Sequence, residues 1–285
     1  MRWSFVSLCQ RAIRLHNARP ENFPMNPNET VHARAASSDC LTQRIAENSA
    51  GQQTDLGEWI FERVPIPENA DILELCCGTG AQTIRLAETR GSVTAIDVSG
   101  KALETMQARL SPEQRGRVKA VEASLDAVSE AIPASAFDLI FCAYGLYYSS
   151  DPVRTLDTVK QWLRPGGQIV VVGPFGPNNG ALFELLERCG VTIPAYVKYT
   201  SQDFMTAAVL PWAGCHFEKA EVHTLMNPVL WNSAEKILNY WQNSTFYAED
   251  RRTAVEQALA DFFQREKTFV NEKWIMLARM TDARR

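Results

Sequence analysis

The residues best suited to chemistry gather in one short stretch, Glu74-Leu75-Cys76-Cys77-Gly78-Thr79-Gly80. A Gly-Thr-Gly turn lets backbone approach a ligand with no side chain in the way. Asp97 follows nineteen positions after Gly78, at the end of the apolar run SVTAID. A carboxylate there can accept two hydrogen bonds from the hydroxyls of a ribose.

Two ligand classes fit a glycine turn plus a ribose acid. A dinucleotide wants GxGxxG, with amides and a helix N-terminus facing a pyrophosphate. The matching positions here are Cys76, Gly78 and Ala81, so the first glycine is missing and the third is alanine. That weakens the dinucleotide reading. S-adenosylmethionine carries no phosphate, only an amino-acid tail, a sulfonium and adenosine. Glu74 offers a carboxylate that can orient the ammonium of such a tail.

Other candidates lie further on. Tyr144, Tyr147 and Tyr148 form an aromatic cluster that can wall a substrate and favour a cation. Trp231, Tyr240, Trp241, Phe246 and Tyr247 form a second group, read first as core and alternatively as a lid over an apolar acceptor. The four histidines are His16, His32, His216 and His223. The last two are candidate general bases if an acceptor hydroxyl must lose a proton, as are Tyr147 and Tyr148. No His, Asp or Glu cluster has metal-ligand spacing, so no metal is expected.

The elements that must position these residues follow from the apolar pattern. Short apolar runs at Asp71–Leu75, Ser92–Asp97, Arg117–Glu122, Phe137–Ala143 and Gln168–Gly173 alternate with helical stretches. This predicts a parallel sheet with helices on both faces. Open parallel sheets bind ligands at the carboxyl ends of their strands, where the glycine turn and Asp97 fall. Helices are predicted over 81–88, 99–110, 125–132 and 151–163, the last stopped by Arg164-Pro165-Gly166-Gly167. One or two more precede the sheet between 41 and 64, broken near Gly51. After Gly173 the rhythm changes, with helices expected over 181–189, 201–209, 233–243 and 248–266 and strands over 217–225 and 269–280. The expected domains are an arm or leader over 1–40 and a single domain over 41–285, with cap helices within about 174–215 and 230–267.

Four motifs in order resemble a class I S-adenosylmethionine-dependent methyltransferase: E-L-C-C-G-T-G, A-I-D, F-D-L-I and L-R-P-G-G-Q-I. The nearest group is the small-molecule branch that includes the quinone-ring methyltransferases. The resemblance covers about residues 41–173 and reaches the tail only in outline. It implies a Rossmann-like α/β fold, a seven-stranded mostly parallel sheet whose last strand is antiparallel, with an inserted helical cap. It implies S-adenosyl-L-methionine as cofactor. Glu74 matches the acid before the turn, and Gly78 and Gly80 the glycines facing the methionine tail. Asp97 matches the ribose acid, and Val98 the apolar residue against adenine. Ser124 and Leu125 match the place where the adenine edge is read, and Tyr144 lies beside the methionine moiety and substrate. Two positions depart from the pattern. Cys76 replaces the first glycine, and a position needing positive φ would strain it. Ser124 stands where the family often has Asp, and a hydroxyl is a weaker acceptor. The implied reaction is methyl transfer to oxygen or carbon of a small-molecule acceptor. The competing readings are a non-catalytic cofactor-binding protein of the same fold and an NAD(P)-dependent oxidoreductase.

Composition bounds these readings. The 285 residues make one large domain or two small ones. A hydrophobic fraction of 46% excludes intrinsic disorder. Lys plus Arg is 29 against 33 for Asp plus Glu, a net charge of −4, which argues against a nucleic-acid partner. So does Ala143-Tyr144-Gly145-Leu146, which lacks the Asn/Asp-Pro-Pro-Tyr pattern of amino-methyltransferases acting on nucleic acids and proteins. No uninterrupted apolar run is long enough to span a membrane. Seven cysteines without CxxC spacing suggest a reducing compartment, hence the cytoplasm. Residues 1–20 are Arg-rich and acid-free, so organelle targeting is the alternative.

Overall fold

The computed structural model describes residues 38–132 and 136–284. The expected leader, His16 and His32 lie outside the described residues. Seven strands form one sheet: β1 (Ile72–Leu75), β2 (Val93–Asp97), β3 (Val118–Glu122), β4 (Phe137–Ala143), β5 (Leu163–Pro174), β6 (Phe217–Trp231) and β7 (Phe269–Ala283). Their order is β3-β2-β1-β4-β5-β7-β6. The first five are parallel, and β7 runs antiparallel to both neighbours. The direction of winding switches between β1 and β4, which puts the ends of those strands at the ligand-binding crevice of such sheets.

Twelve helices surround the sheet among the described residues. They are α1 (Ser38–Gly51), α2 (Leu56–Phe61), α3 (Thr83–Leu86), α4 (Gly100–Arg109), α5 (Pro112–Arg115), α6 (Val128–Ala131), α7 (Pro152–Lys160), α8 (Gly180–Arg188), α9 (Ala195–Lys198), α10 (Leu210–His216), α11 (Ala234–Gln242) and α12 (Arg252–Arg265). Local chemistry sets several boundaries. Ser99 caps α4 by accepting from the Ala102 amide at 3.3 Å. Asp151 does the same for α7 through the Arg154 amide at 2.9 Å, with Pro152 at the first helical position.

Alternation sends successive strand residues to opposite faces. Leu73, Leu75, Ile140, Ile169 and Val171 pack on one side with Leu156, Trp162 and Phe204. Ile72, Val93, Phe141, Val170 and Val172 pack on the other with Trp59, Leu86 and Met106. Both faces are therefore covered, which is why these strands read as continuous apolar runs.

The two antiparallel strands are longer than their apolar alternation predicts. β5 pairs with β7 only as far as Pro174 with Ile275. β6 and β7 continue pairing for six more β7 residues, to Trp231 with Phe269. At about 3.3 Å per residue this projects the pair roughly 20 Å past the end of β5, and further past the ends of β1 and β4. A third core grows on the projection. Trp231 and Trp241 are fully buried there with Leu182, Ile237, Leu259 and Phe269. α8, α9, α11 and α12 thus form a roof above the site end of the sheet. The expected helix over 201–209 is instead two π-helical turns joining α9 to α10. The Arg164–Gly167 segment does not merely end a helix. It lies inside β5, where the register slips between the Phe137–Leu163 and Leu139–Gln168 pairs.

α1 belongs to this roof. Gly51 ends it against β6, and a Cβ there would lie 2.8 Å from the Leu230 carbonyl oxygen. Asn227, 2% exposed, clamps the following segment. Its Oδ1 accepts from the Gln53 and Thr54 amides at 3.1 and 3.0 Å, and its Nδ2 donates to the Thr54 carbonyl at 2.8 Å. Asn227→Ala removes the side-chain partner of these half-buried backbone groups, and water reaching them offsets part of the about 1–3 kcal/mol that each would cost if sealed. The expected result is destabilisation of roughly 2–4 kcal/mol in urea unfolding; an unchanged midpoint contradicts the clamp.

Candidate functional site

β1 ends in the glycine turn, and the turn is tied to β2 by one carboxylate. Asp97 Oδ2 accepts from the Gly78 amide at 2.8 Å, and Oδ1 accepts from the Ser99 amide at 3.0 Å. The Cys77 amide donates to the Ile96 carbonyl at 2.9 Å, completing the tie. Three turn residues take the left-handed backbone: Cys76 at φ 56°, Gly78 at φ 54° and Gly80 at φ 83°. Cys76 therefore occupies the conformation for which glycine is suited. Such a residue costs about 1–3 kcal/mol and persists only where its surroundings hold it. Gly145 is part of that hold, because a Cβ on it would come within 2.2 Å of the Cys76 Cβ. Gly80 answers a packing demand. A Cβ there would meet the Met106 side chain on α4 at 2.3 Å.

Glu74 sits beneath the turn and is 2% exposed. Its Oε2 has no hydrogen-bond partner. Burial, with the Asp97 charge adding to it against the Thr83 hydroxyl, pushes the Glu74 carboxyl up to about 8. An acid so placed suits a cationic ligand group. The thiols of Cys76 and Cys77 are also pushed up, Cys76 by its hydrogen bond with Cys142 and by burial, Cys77 mainly by burial. They stay protonated at neutral pH and make poor nucleophiles.

The remaining cofactor candidates line the same edge. Val98 follows Asp97 and is 55% exposed, an apolar surface open to a flat ring. Ser124 ends the β3 loop and caps the 3₁₀ turn Leu125–Ala127, its Oγ accepting from the Ala127 amide at 3.3 Å. The hydroxyl read as an adenine acceptor is thus already engaged as a cap. Leu125 is buried. Tyr144, just past β4, also takes a left-handed backbone at φ 58°.

Tyr147 and Tyr148 form the 3₁₀ turn after β4, with ring centres 4.8 Å apart. Tyr147 also meets Phe204 edge-on at 5.6 Å. Burial raises the phenols of Tyr144 and Tyr147 above their ordinary range. Neither is a proton acceptor near neutrality.

His216 and His223 are not brought to the turn. His216 closes α10 at the start of β6, the opposite end of the sheet. It stacks on Trp212 at 4.8 Å and lies 3.3 Å from Asp157. His223 lies midway along β6, the edge strand, separated from β4 by β5 and β7. Chain topology, invisible in residue type, removes both as bases for chemistry at the turn.

Three residues that the sequence reading did not assign to the site face the tyrosines from the roof. They are Arg44 on α1, Tyr240 on α11 and Lys273 on β7. The Arg44 guanidinium hydrogen-bonds Tyr148 and lies close to Tyr147 and Tyr240. Lys273 Nζ donates to Tyr240 at 3.1 Å and to Asn179 Oδ1 at 2.5 Å. A signal for Lys273 existed: it shares strand parity with buried Asn271 and Ile275. Arg44 gave none, because α1 precedes the motif-bearing region.

Comparison with known proteins agrees with this arrangement. Residues 72–167 match the family model described as a methyltransferase domain. A malonyl-[acyl-carrier protein] O-methyltransferase of Paenibacillus sp. (strain JDR-2) is 28% identical over 154 residues, 52% of this chain and 50% of that protein. A demethylmenaquinone methyltransferase of Lactococcus lactis is 31% identical over 110 residues, 38% of this chain and 43% of that protein. The chain spans about half the length of the curated relatives it matches. Two crystal structures share the fold. BH2331 from Bacillus halodurans C-125 has a TM-score of 0.56 at 15% identity, covering 79% of this chain and 98% of its own. YcgJ from Bacillus subtilis has a TM-score of 0.57 at 13% identity, covering 80% and 98%.

Glu74 makes a pH prediction. Its folded value of about 8 lies above the ordinary 4.5, so the folded protein holds a proton that the unfolded chain releases between those values. Stability from this group is full below pH 4.5 and is lost as pH rises through 8. Glu74→Gln is expected to flatten the fall in unfolding free energy across that window. An identical pH profile in the variant contradicts the buried-acid assignment.

Proposed function

We propose that this chain is a class I S-adenosylmethionine-dependent methyltransferase of the small-molecule branch, a reading supported by the methyltransferase-domain match over residues 72–167, and that it transfers a methyl group to oxygen or carbon of a small-molecule acceptor. One observation carries the cofactor reading. The turn at the end of β1 is flanked by two carboxyl groups, Glu74 beneath it with its Oε2 unpartnered and Asp97 tied across it. A pyrophosphate would meet repulsion from Asp97 and would disfavour ionisation of Glu74 further, whereas an approaching cation would favour it. A ligand with an ammonium, a sulfonium and a ribose meets attraction at each. This favours S-adenosylmethionine over a nicotinamide dinucleotide, the competing enzyme class.

The residues fit the group one by one. Glu74 would take the ammonium, and the unfilled acceptor positions of Asp97 would take ribose hydroxyls. Val98 would lie against the adenine, with the Leu125 amide at its edge. Bound there, the cofactor supplies an electrophilic methyl on a good leaving group. The chain's own part is alignment and exclusion of water. Tyr144 and Tyr147 bound the space beside the turn, and the roof covers it. With both phenols raised by burial, the site positions an acceptor rather than deprotonating it.

Malonyl-[acyl-carrier protein] O-methyltransferase and demethylmenaquinone methyltransferase are named for different acceptors. They support the class of reaction and leave the acceptor to be read from this chain's roof. The same relatives and the net charge of −4 favour a small molecule over nucleic acid. Among the described residues no helix is long and apolar enough to cross a membrane. A cytoplasmic setting is part of this reading, consistent with reduced thiols at Cys76, Cys77, Cys142 and Cys189.

Asp97→Ala tests the reading. Loss of charge-assisted hydrogen bonds predicts S-adenosylmethionine affinity weaker by about tenfold or more in titration calorimetry. The wild type is expected to gain thermal stability with S-adenosylmethionine and none with NADH. A stabilising effect of NADH alone, or unchanged affinity in the variant, contradicts the assignment.

A further inference from the structure

The roof holds two cations with no carboxylate to balance them. Arg44 and Lys273 come from elements far apart in sequence, α1 and β7, and converge on Tyr240. Lys273 Nζ lies 3.1 Å from the Tyr240 hydroxyl and over aromatic faces at 4.3 Å from the Tyr240 ring centre and 5.7 Å from that of Trp231. Among the described residues neither cation lies within ion-pair distance of an acid. The nearest carboxylates in sequence are committed elsewhere. Glu47 accepts from Asn239 at 3.3 Å, and Glu272 accepts from the Trp274 indole at 3.0 Å.

Buried charges are ordinarily paired. Here the roof offers a donor that is left over instead. The Arg44 Nε is sealed from solvent without a partner. Burial, the proximity of Arg44 and weaker opposing contributions from Tyr240 leave the Lys273 ammonium below its ordinary value. Burial works to raise the Tyr240 phenol, yet Lys273 and Arg44 hold it below its usual range. The Arg44 guanidinium and the Lys273 ammonium thus stand together around Tyr240 beneath α1 and α11.

Resting on the methyltransferase reading, we infer that the roof is an acceptor subsite for an anionic oxygen group, a carboxylate or a phosphate, held between the Arg44 guanidinium and the Lys273 ammonium. Tyr147, Tyr148 and Tyr240 would flank the acceptor's apolar body. The floor and the roof then divide the charge. Glu74 and Asp97 serve the cationic cofactor, and Arg44 and Lys273 serve the anionic acceptor. Arginine matches a carboxylate or phosphate with two parallel donors, and a lysine adds a point charge.

The test is calorimetric titration of the full chain saturated with S-adenosylhomocysteine. The probes are benzoate, phenyl phosphate and neutral benzamide. The wild type is expected to bind at least one anion about tenfold or more tightly than benzamide. The preferred anion distinguishes a carboxylate site from a phosphate site. Arg44→Gln and Lys273→Gln are each expected to bring the anion within about threefold of benzamide, and Lys273→Arg to retain the preference. S-adenosylhomocysteine affinity in each variant reports that the fold is intact. Equal binding of the anions and benzamide by the wild type overturns the inference. So does an unchanged preference in both glutamine variants with intact S-adenosylhomocysteine binding. If either variant also loses S-adenosylhomocysteine, the wild-type comparison decides alone. Failure of the wild type to bind S-adenosylhomocysteine overturns the cofactor reading itself, a result separable from loss of anion preference.

Discussion

One carboxylate holds the site together. Asp97 spans from the end of β2 to the Gly78 amide and turns back to the Ser99 amide. It fixes a turn whose backbone is otherwise unfavourable, since Cys76 is left-handed without being glycine. Charge-assisted hydrogen bonds to backbone amides are among the stronger ones available to a loop. The same anchoring starts α4, whose cap is Ser99. The turn, Asp97 and the following helix are thus one unit rather than three motifs.

The second constraint is the unequal length of strands. The parallel strands β1 to β4 end nearly together and leave an open edge, as such sheets do. β6 and β7 do not end there. Their projection supplies an apolar surface that must be covered, and the covering helices become the roof. Asn227 and Gly51 then draw α1 onto that projection, which carries Arg44 over the tyrosines. The covering of an apolar surface thus places a cation beside Tyr147, Tyr148 and Tyr240.

The parts legible in the sequence were those whose chemistry is local. Apolar runs of strand length bounded by Gly and Pro gave five parallel strands, and Glu74, Gly78 and Asp97 fell where such strands expose ligand sites. The strand ends past Leu225 were not legible, because Asn227 and Pro228 interrupt the alternation. Asn227 is buried for the sake of backbone amides, a partnership 174 residues away in sequence. His216 and His223 were chosen by residue type, and sheet order moved both away. Cys76 was visible as an oddity, and its left-handed backbone shows how far the turn is held by its surroundings. Arg44 could not be found from its own neighbourhood. Its role exists only once α1 folds over β6, whereas Lys273 was marked by the parity of its strand.

A crystal structure with S-adenosylhomocysteine bound tests the central claim most directly. The account predicts the amino group on Glu74, the ribose on Asp97, the adenine against Val98 and the sulfur facing Tyr144 beneath Arg44 and Lys273. A ligand seated away from the β1 turn, or one whose ribose leaves Asp97 untouched, would contradict it.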